Sequence, residues 1–135
     1  MRSCYVTVQV PFHDVDAMQV VWHGHYVRYF EVARCALLES FGYNYQQMKD
    51  SGYAWPVFDL QARFIRPARF GQTLRVSATL VDWENRLKIK YVIEDASGER
   101  LSTGSTSQVA VDLKTGEMCF ASPPVVFEKL GLPVP

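Results

Sequence analysis

The 135-residue chain reads as an α+β protein in which a curved antiparallel sheet wraps one long helix. A single stretch has strong helical periodicity, and it is followed by long stretches of strand character separated by short gaps. Short gaps join strands as antiparallel hairpins or a meander, because a parallel crossover needs a dozen residues or more. The helix is apolar round most of its girth, so a flat sheet would leave much of it wet and a curved one would cover it.

Residues 5–10, YVTVQV, alternate and are β-branched, which predicts a strand ended by Pro11. Residues 12–24 form a loop dense in polar side chains, and all three histidines of the protein (His13, His23, His25) lie between positions 13 and 25. From 25 to 41 the apolar side chains Tyr26, Phe30, Ala33, Leu37 and Phe41 recur at helical steps. The only charged residues of that helix, Arg28, Glu31, Arg34 and Glu39, fall on an arc of roughly 140°. Gly42 is a natural stop, and a short second helix is expected over 45–51. Strands are then expected over 54–66, 73–83, 87–95 and 100–112, with turns at PARFGQ, Glu84-Asn85-Arg86, Ala96-Ser97-Gly98-Glu99 and Lys114-Thr115-Gly116. Pro123 and Pro124 open a short C-terminal helix that closes at Gly131. The whole chain, 1–135, is expected to be one domain. A lone sheet would expose an edge, and pairing with a second copy removes it, so a homodimer is expected.

Composition narrows the function classes. Fourteen Lys and Arg balance 14 Asp and Glu, so no basic face for nucleic acid is expected. No apolar run approaches the roughly 18 residues of a membrane span, and residues 1–10 lack a secretory leader's apolar segment. Cys4, Cys35 and Cys119 are odd in number and far apart, which suits free thiols in a reducing cytoplasm. The signatures of serine-hydrolase elbows, phosphate loops, dinucleotide loops and zinc proteases are absent from the sequence. His23, His25, Asp14 and Asp16 complete no zinc-type spacing, so neither metal nor redox cofactor is expected.

The informative stretch is 12-FHDVDAMQVVWHGHYVRYFEVAR-34. It puts a carboxylate, Asp16, in a loop that runs into the N-terminus of the helix near His23-Gly24-His25. Free backbone N–H groups at a helix start suit an anion or a polarised carbonyl oxygen. A carboxylate base facing such a site is enough apparatus to hydrolyse an activated acyl group such as a thioester.

The run Asp14-Val15-Asp16, Val20-Val21-Trp22-His23-Gly24-His25-Tyr26 and Glu31-x-x-Arg34 resembles the D-x-D…G-V-V-[YW]-H-x-x-Y…E-x-A-R signature. That signature belongs to hotdog-fold acyl-CoA thioesterases of the 4-hydroxybenzoyl-CoA thioesterase and YbgC-like group. Phe64-Ile65-Arg66-Pro67-Ala68-Arg69-Phe70-Gly71 resembles the strand-turn segment of the same family. The resemblance implies dimers that often pair into tetramers, with an active site at the dimer interface. It implies Asp16 as nucleophile or general base and the backbone N–H at His23 as the group polarising the carbonyl. Val21, Trp22, Gly24, His25 and Tyr26 are implied as substrate-binding, and Asp14 as a structural partner bonding loop amides. The chain departs from the family at Met18-Gln19, where many relatives have Gly-Gly or Ala-Gly, and at His25, where Asn or Ser is usual.

The expected function is therefore hydrolysis of an acyl-CoA or acyl-carrier-protein thioester. An acyl-thioester hydratase or dehydratase, and a non-catalytic acyl-thioester-binding subunit, are the alternatives. Glu31 is the rival base, set against an ion pair with Arg28 or Arg34. Two basic groups, Arg63, Arg66 and Arg69, and Arg86, Lys88 and Lys90, could meet the phosphates of CoA or simply face solvent.

Overall fold

In the computed structural model, which describes residues 2–135, β1 (Ser3–Gln9) leads into the polar loop and then α1 (Gly24–Ser40). After α2 (Tyr45–Asp50) the chain runs through β2 (Tyr53–Ala54), β3 (Val57–Phe64), β4 (Thr73–Asp82), β5 (Leu87–Glu94), β6 (Arg100–Gln108) and β7 (Val111–Asp112), and it finishes in α3 (Pro124–Leu130). One five-stranded sheet has the order β1-β4-β5-β6-β3, and each neighbouring pair is antiparallel. The expected meander is therefore β4-β5-β6, flanked by β1 and β3 as the two edges.

Strict alternation creates the sheet's inner face. Leu74, Val76, Ala78 and Leu80 of β4 are buried beside Leu87, Ile89, Tyr91 and Ile93 of β5, with Ala78 opposite Tyr91 and Leu80 opposite Ile89. α1 lies on this face, chiefly over β1 and β4. It buries Tyr26, Tyr29, Phe30, Ala33, Leu37 and Leu38 there. Burying one such large side chain stabilises by about 1.5–3 kcal/mol. The Phe30 ring stacks flat on Tyr91, with centroids 4.7 Å apart and planes 15° from parallel. Gly104 of β6, opposite Tyr91, leaves the space for that ring.

Four expectations need correction. The girth of α1 is not fully covered: Val32 is 44% exposed and Cys35 also faces out. Arg34, expected on the charged arc, is buried instead, and its Nε donates to the Tyr45 hydroxyl at 2.8 Å. Glu31 accordingly has neither expected ion pair, because Arg28 is engaged by Asp14. The expected strand over 54–66 is broken at Trp55-Pro56, where proline has no N–H for a ladder and pushes Trp55 out of register. The Trp55 Nε1 donates to Tyr43 Oη at 3.1 Å, and its carbonyl accepts from Gln108 Nε2 at 2.7 Å. The separated pieces β2 and β7, the latter split from the expected 100–112 strand, pair with each other as a small second ladder.

The helix ends carry their expected signals. Asn44 and Gln47 form a reciprocal capping box at α2, and Gly131, at φ 72°, closes α3 in the left-handed conformation.

A Cβ at position 104 would lie 2.5 Å from Phe30 Cε2 and 2.7 Å from the Gln61 backbone oxygen. Gly104→Ala therefore overpacks the centre of the core and is expected to cost about 1–3 kcal/mol, read as a lower urea midpoint with unchanged m-value.

Candidate active site

The loop between β1 and α1 is built by short-range bonds. Phe12–Asp14 make one 3-10 turn, and Val15 then bridges to Val21. Between them the chain reverses tightly: Gln19 N–H donates to the Asp16 carbonyl and Asp16 N–H to the Val20 carbonyl, both at 2.9 Å. Asp16 Oδ1 accepts from the Met18 N–H at 2.8 Å, so the side chain braces its own turn. Gln19 completes the reversal at φ 64°. The turn is fastened to the 64–71 segment by a Val20–Arg69 bridge and by Val21 N–H donating to the Ala68 carbonyl at 2.8 Å. Ala68 N–H in turn donates to the Tyr26 hydroxyl at 3.0 Å, which ties the first turn of α1 into the same junction.

Asp14 anchors the other side. Its carboxylate is 1% exposed and accepts from the Tyr29 hydroxyl at 2.6 Å and from the Arg28 guanidinium. Its backbone carbonyl accepts from Trp22 N–H at 3.0 Å. Asp14 is thus a structural partner, but its carboxylate bonds two helix side chains and not loop amides. Burial alone would push the Asp14 carboxyl up, yet the Tyr29 and Arg28 donors prevail and hold it below the ordinary value of 3.8. Burial, with the Asp14 carboxylate second, pushes the Tyr29 phenol well above its ordinary range. The second carboxylate oxygen, Oδ1, makes no hydrogen bond among the described residues; His13 Nε2 lies 3.6 Å from it and His25 Nδ1 3.9 Å.

Asp16 faces the opposite way, into a cleft of about 340 Å³. Val20, Val21, His23 and Tyr26 line it from the loop and helix start, and Phe64, Ile65, Arg66 and Pro67 from the end of β3. Four of the expected site residues, Asp16, Val21, His23 and Tyr26, are therefore brought together. Trp22, Gly24 and His25 are not on these walls. The Trp22 ring lies over Gly24, where a Cβ would meet it at 2.2 Å, and beside His23 and His25 at centroid distances of 5.0 and 5.4 Å. His25 turns toward Asp14 and Arg28. The β3 wall was missing from the expected site residues, although its signal was the FIRPARFG segment. Phe64 comes to 5.1 Å from Tyr26 and 6.2 Å from His23, ring centroid to ring centroid.

Asp16 also borders a second cleft, of about 490 Å³, on the far side of the Val20–Arg69 bridge. Its walls are Phe12, Val15, Gln19, Arg69 and Phe70.

α1 begins at His23 with no side-chain cap and no acid in its first turn. Among the described residues, neither the His23 nor the Gly24 N–H has an acceptor. The positive end of the helix dipole is thus left uncompensated beside a cleft that holds a carboxylate. Such a place favours an oxygen that gains negative charge during reaction. Among the described residues, no three His, Cys, Asp or Glu side chains converge as a metal centre would need. None of the described helices is long and apolar enough to cross a membrane.

The family described as the thioesterase-like superfamily matches residues 10–130. The chain belongs to it. Within this superfamily it is 33% identical over 132 residues to a protein of Synechocystis sp. provisionally named an esterase, covering 93% of this chain and 76% of the relative. It is 27% identical over 106 residues to the 1,4-dihydroxy-2-naphthoyl-CoA hydrolase of Thermosynechococcus vestitus, covering 77% of this chain and 73% of the relative. Among solved structures, the DHNA-CoA thioesterase of Staphylococcus aureus superposes with a TM-score of 0.81 at 26% identity, over 89% of this chain and 81% of that one. The long helix on an antiparallel sheet is the hotdog fold of this thioesterase-like superfamily.

The buried carboxylate yields a test of the anchor. The folded Asp14 carboxyl is more acidic than the unfolded one, so its contribution to stability is complete above pH 3.8 and is lost as pH falls through the lower folded value. Asp14→Asn is expected to lower the urea midpoint at neutral pH and to flatten the part of its decline that lies below that value, measured by urea unfolding across the acid range.

Proposed function

We propose that this thioesterase-like protein hydrolyses acyl-CoA thioesters to a free acid and CoA, with Asp16 and the helix start at His23 as its working parts. The observation that carries the reading is their meeting in one cleft, with the first amides of α1 free of any acceptor among the described residues. The names of the relatives, which include acyl-CoA thioester hydrolase in Escherichia coli at 26% identity, support the same reaction.

In this mechanism the thioester carbonyl oxygen lies at the His23 amide. Water adds to the carbonyl carbon as Asp16 takes its proton, or the Asp16 carboxylate attacks that carbon itself and water later cleaves the anhydride. The tetrahedral oxyanion is held by the helix start, then the carbon–sulfur bond breaks and the thiolate leaves, taking up a proton. A thiolate needs little help to leave, so no serine triad is required.

The proposal includes a second copy of the chain. β3 is an edge strand whose Leu60, Ala62 and Phe64 share the inner face yet remain exposed, because α1 lies over β1 and β4. Pairing of two β3 edges would cover these side chains and close the cleft that Phe64 and Ile65 border. The single 1–135 domain, working as a dimer or a pair of dimers in the cytoplasm, is the arrangement we favour. The free thiols Cys4, Cys35 and Cys119 suit that compartment.

Asp16→Asn keeps a side-chain oxygen for the Met18 amide and removes only the base. It is expected to lower kcat by about a thousandfold in a thiol-release assay, with the far-UV spectrum and unfolding midpoint retained. Activity on carrier-protein thioesters but on no CoA ester would move the substrate from CoA to a carrier. Leu60→Lys, which charges the β3 edge, is expected to halve the mass seen in sedimentation and to lower activity with it.

A further inference from the structure

We propose that Gln19 is a specificity-determining residue whose carboxamide reads a hydroxyl group on the acyl part of the substrate, held in the second cleft beside Asp16. The inference rests on the thioesterase reading and deepens it.

Gln19 stands at φ 64°, while the chain's other left-handed positions, at Gly42, Gly52, Gly71, Gly98, Gly116 and Gly131, all carry glycine. A side chain at such a φ is strained, and the turn itself is made by backbone bonds that glycine would serve better. The Gln19 side chain repays none of this within the chain: it is exposed, and its carboxamide makes no hydrogen bond among the described residues. What it does have is position. It borders the cleft that Phe12 and Phe70 wall edge to face, centroids 5.6 Å apart, and that Asp16 shares with the helix-start cleft. Phe12 is 74% and Phe70 58% exposed, so an apolar surface lies open within reach of the reacting carboxylate.

A thioester carbon at Asp16 can send its acyl group only along a surface that Asp16 borders. On the second side that surface is apolar, about 490 Å³ in volume, and ends at two groups able to donate hydrogen bonds, the Gln19 carboxamide and the Arg69 guanidinium. An acyl group with an apolar body and one hydroxyl satisfies both parts. A purely hydrocarbon acyl group covers the phenyl rings and leaves the carboxamide without a substrate partner.

The test compares matched acyl-CoA pairs, 4-hydroxybenzoyl-CoA against benzoyl-CoA and 3-hydroxybutyryl-CoA against butyryl-CoA, by thiol release. The unchanged protein should favour the hydroxylated member of at least one pair, and which pair responds tells an aromatic from an aliphatic body. Gln19→Gly and Gln19→Leu should each lower that preference about tenfold, with the loss in KM and not in kcat, because the carboxamide touches the substituent and not the reacting carbon. Gln19→Gly should also raise the melting temperature, a change that relief of strain predicts and loss of fold does not. A preference that stays put in both variants while thiol is released overturns the role of Gln19 and leaves the thioesterase reading standing. Preference of the unchanged protein for the unsubstituted member of both pairs does the same. Absence of thiol release from every ester overturns both.

Discussion

The carboxylate of Asp14, sealed from water and gripped by the Tyr29 hydroxyl and the Arg28 guanidinium, joins a loop to a helix one turn in from its start. Its backbone carbonyl receives the Trp22 amide, so the same residue fixes where the loop ends. With position 14 held against α1 and positions 20 and 21 held against 68 and 69, the six residues between have little freedom left. The location of the Asp16 side chain follows from these two attachments. A breach at Asp14 would leave a buried charge without donors, and hydrogen bonds to charged groups are among the stronger ones in a folded chain.

Two carboxylates only two residues apart thus end in different circumstances. Asp14 is surrounded by donors, and its charge is committed to the scaffold. Asp16 spends one oxygen on the Met18 amide and keeps the other free of any hydrogen bond among the described residues, on the border of two clefts. Alternation of side chains across the 14–16 stretch explains the divergence: residues two apart would share a face in an extended strand, but the 3-10 turn ending at Asp14 rotates the first away from the second. The same turn brings His13 and His25 round Asp14, leaving His23 alone among the histidines on the Asp16 cleft.

The sequence revealed α1 and the β4-β5-β6 meander because their periodicities are long and regular, and it revealed Asp16, Val21, His23 and Tyr26 because they sit in one fixed run. Other features depend on register across distant segments and leave little local trace. That Phe64 and Ile65 close the cleft follows from where the end of β3 meets the start of α1, and no spacing within either stretch encodes it. The burial of Arg34 contradicts its wheel position because α2 folds back to supply Tyr45 as a partner. The break at Pro56 was visible as a residue type, but β-branched and apolar neighbours on both sides masked it. His25 shows a limit of motif reading of another kind: its place in the run is right, yet a single helical step turns its ring toward the anchor and away from the cleft.

The flat stack of Phe30 on Tyr91, seated over the bare Cα of Gly104, has a bearing on how the strands find their alignment. Sliding β6 by two residues would keep every side chain on its proper face, so alternation alone cannot forbid it. Such a slide would bring Ser102 or Thr106 under the Phe30 ring, and either would thrust a Cβ into the place where only hydrogen fits. The aromatic pair therefore works as a gauge: it accepts one alignment of the hairpin and rejects its nearest same-face neighbours, which lets a polar, serine-rich strand hold its place without large side chains of its own.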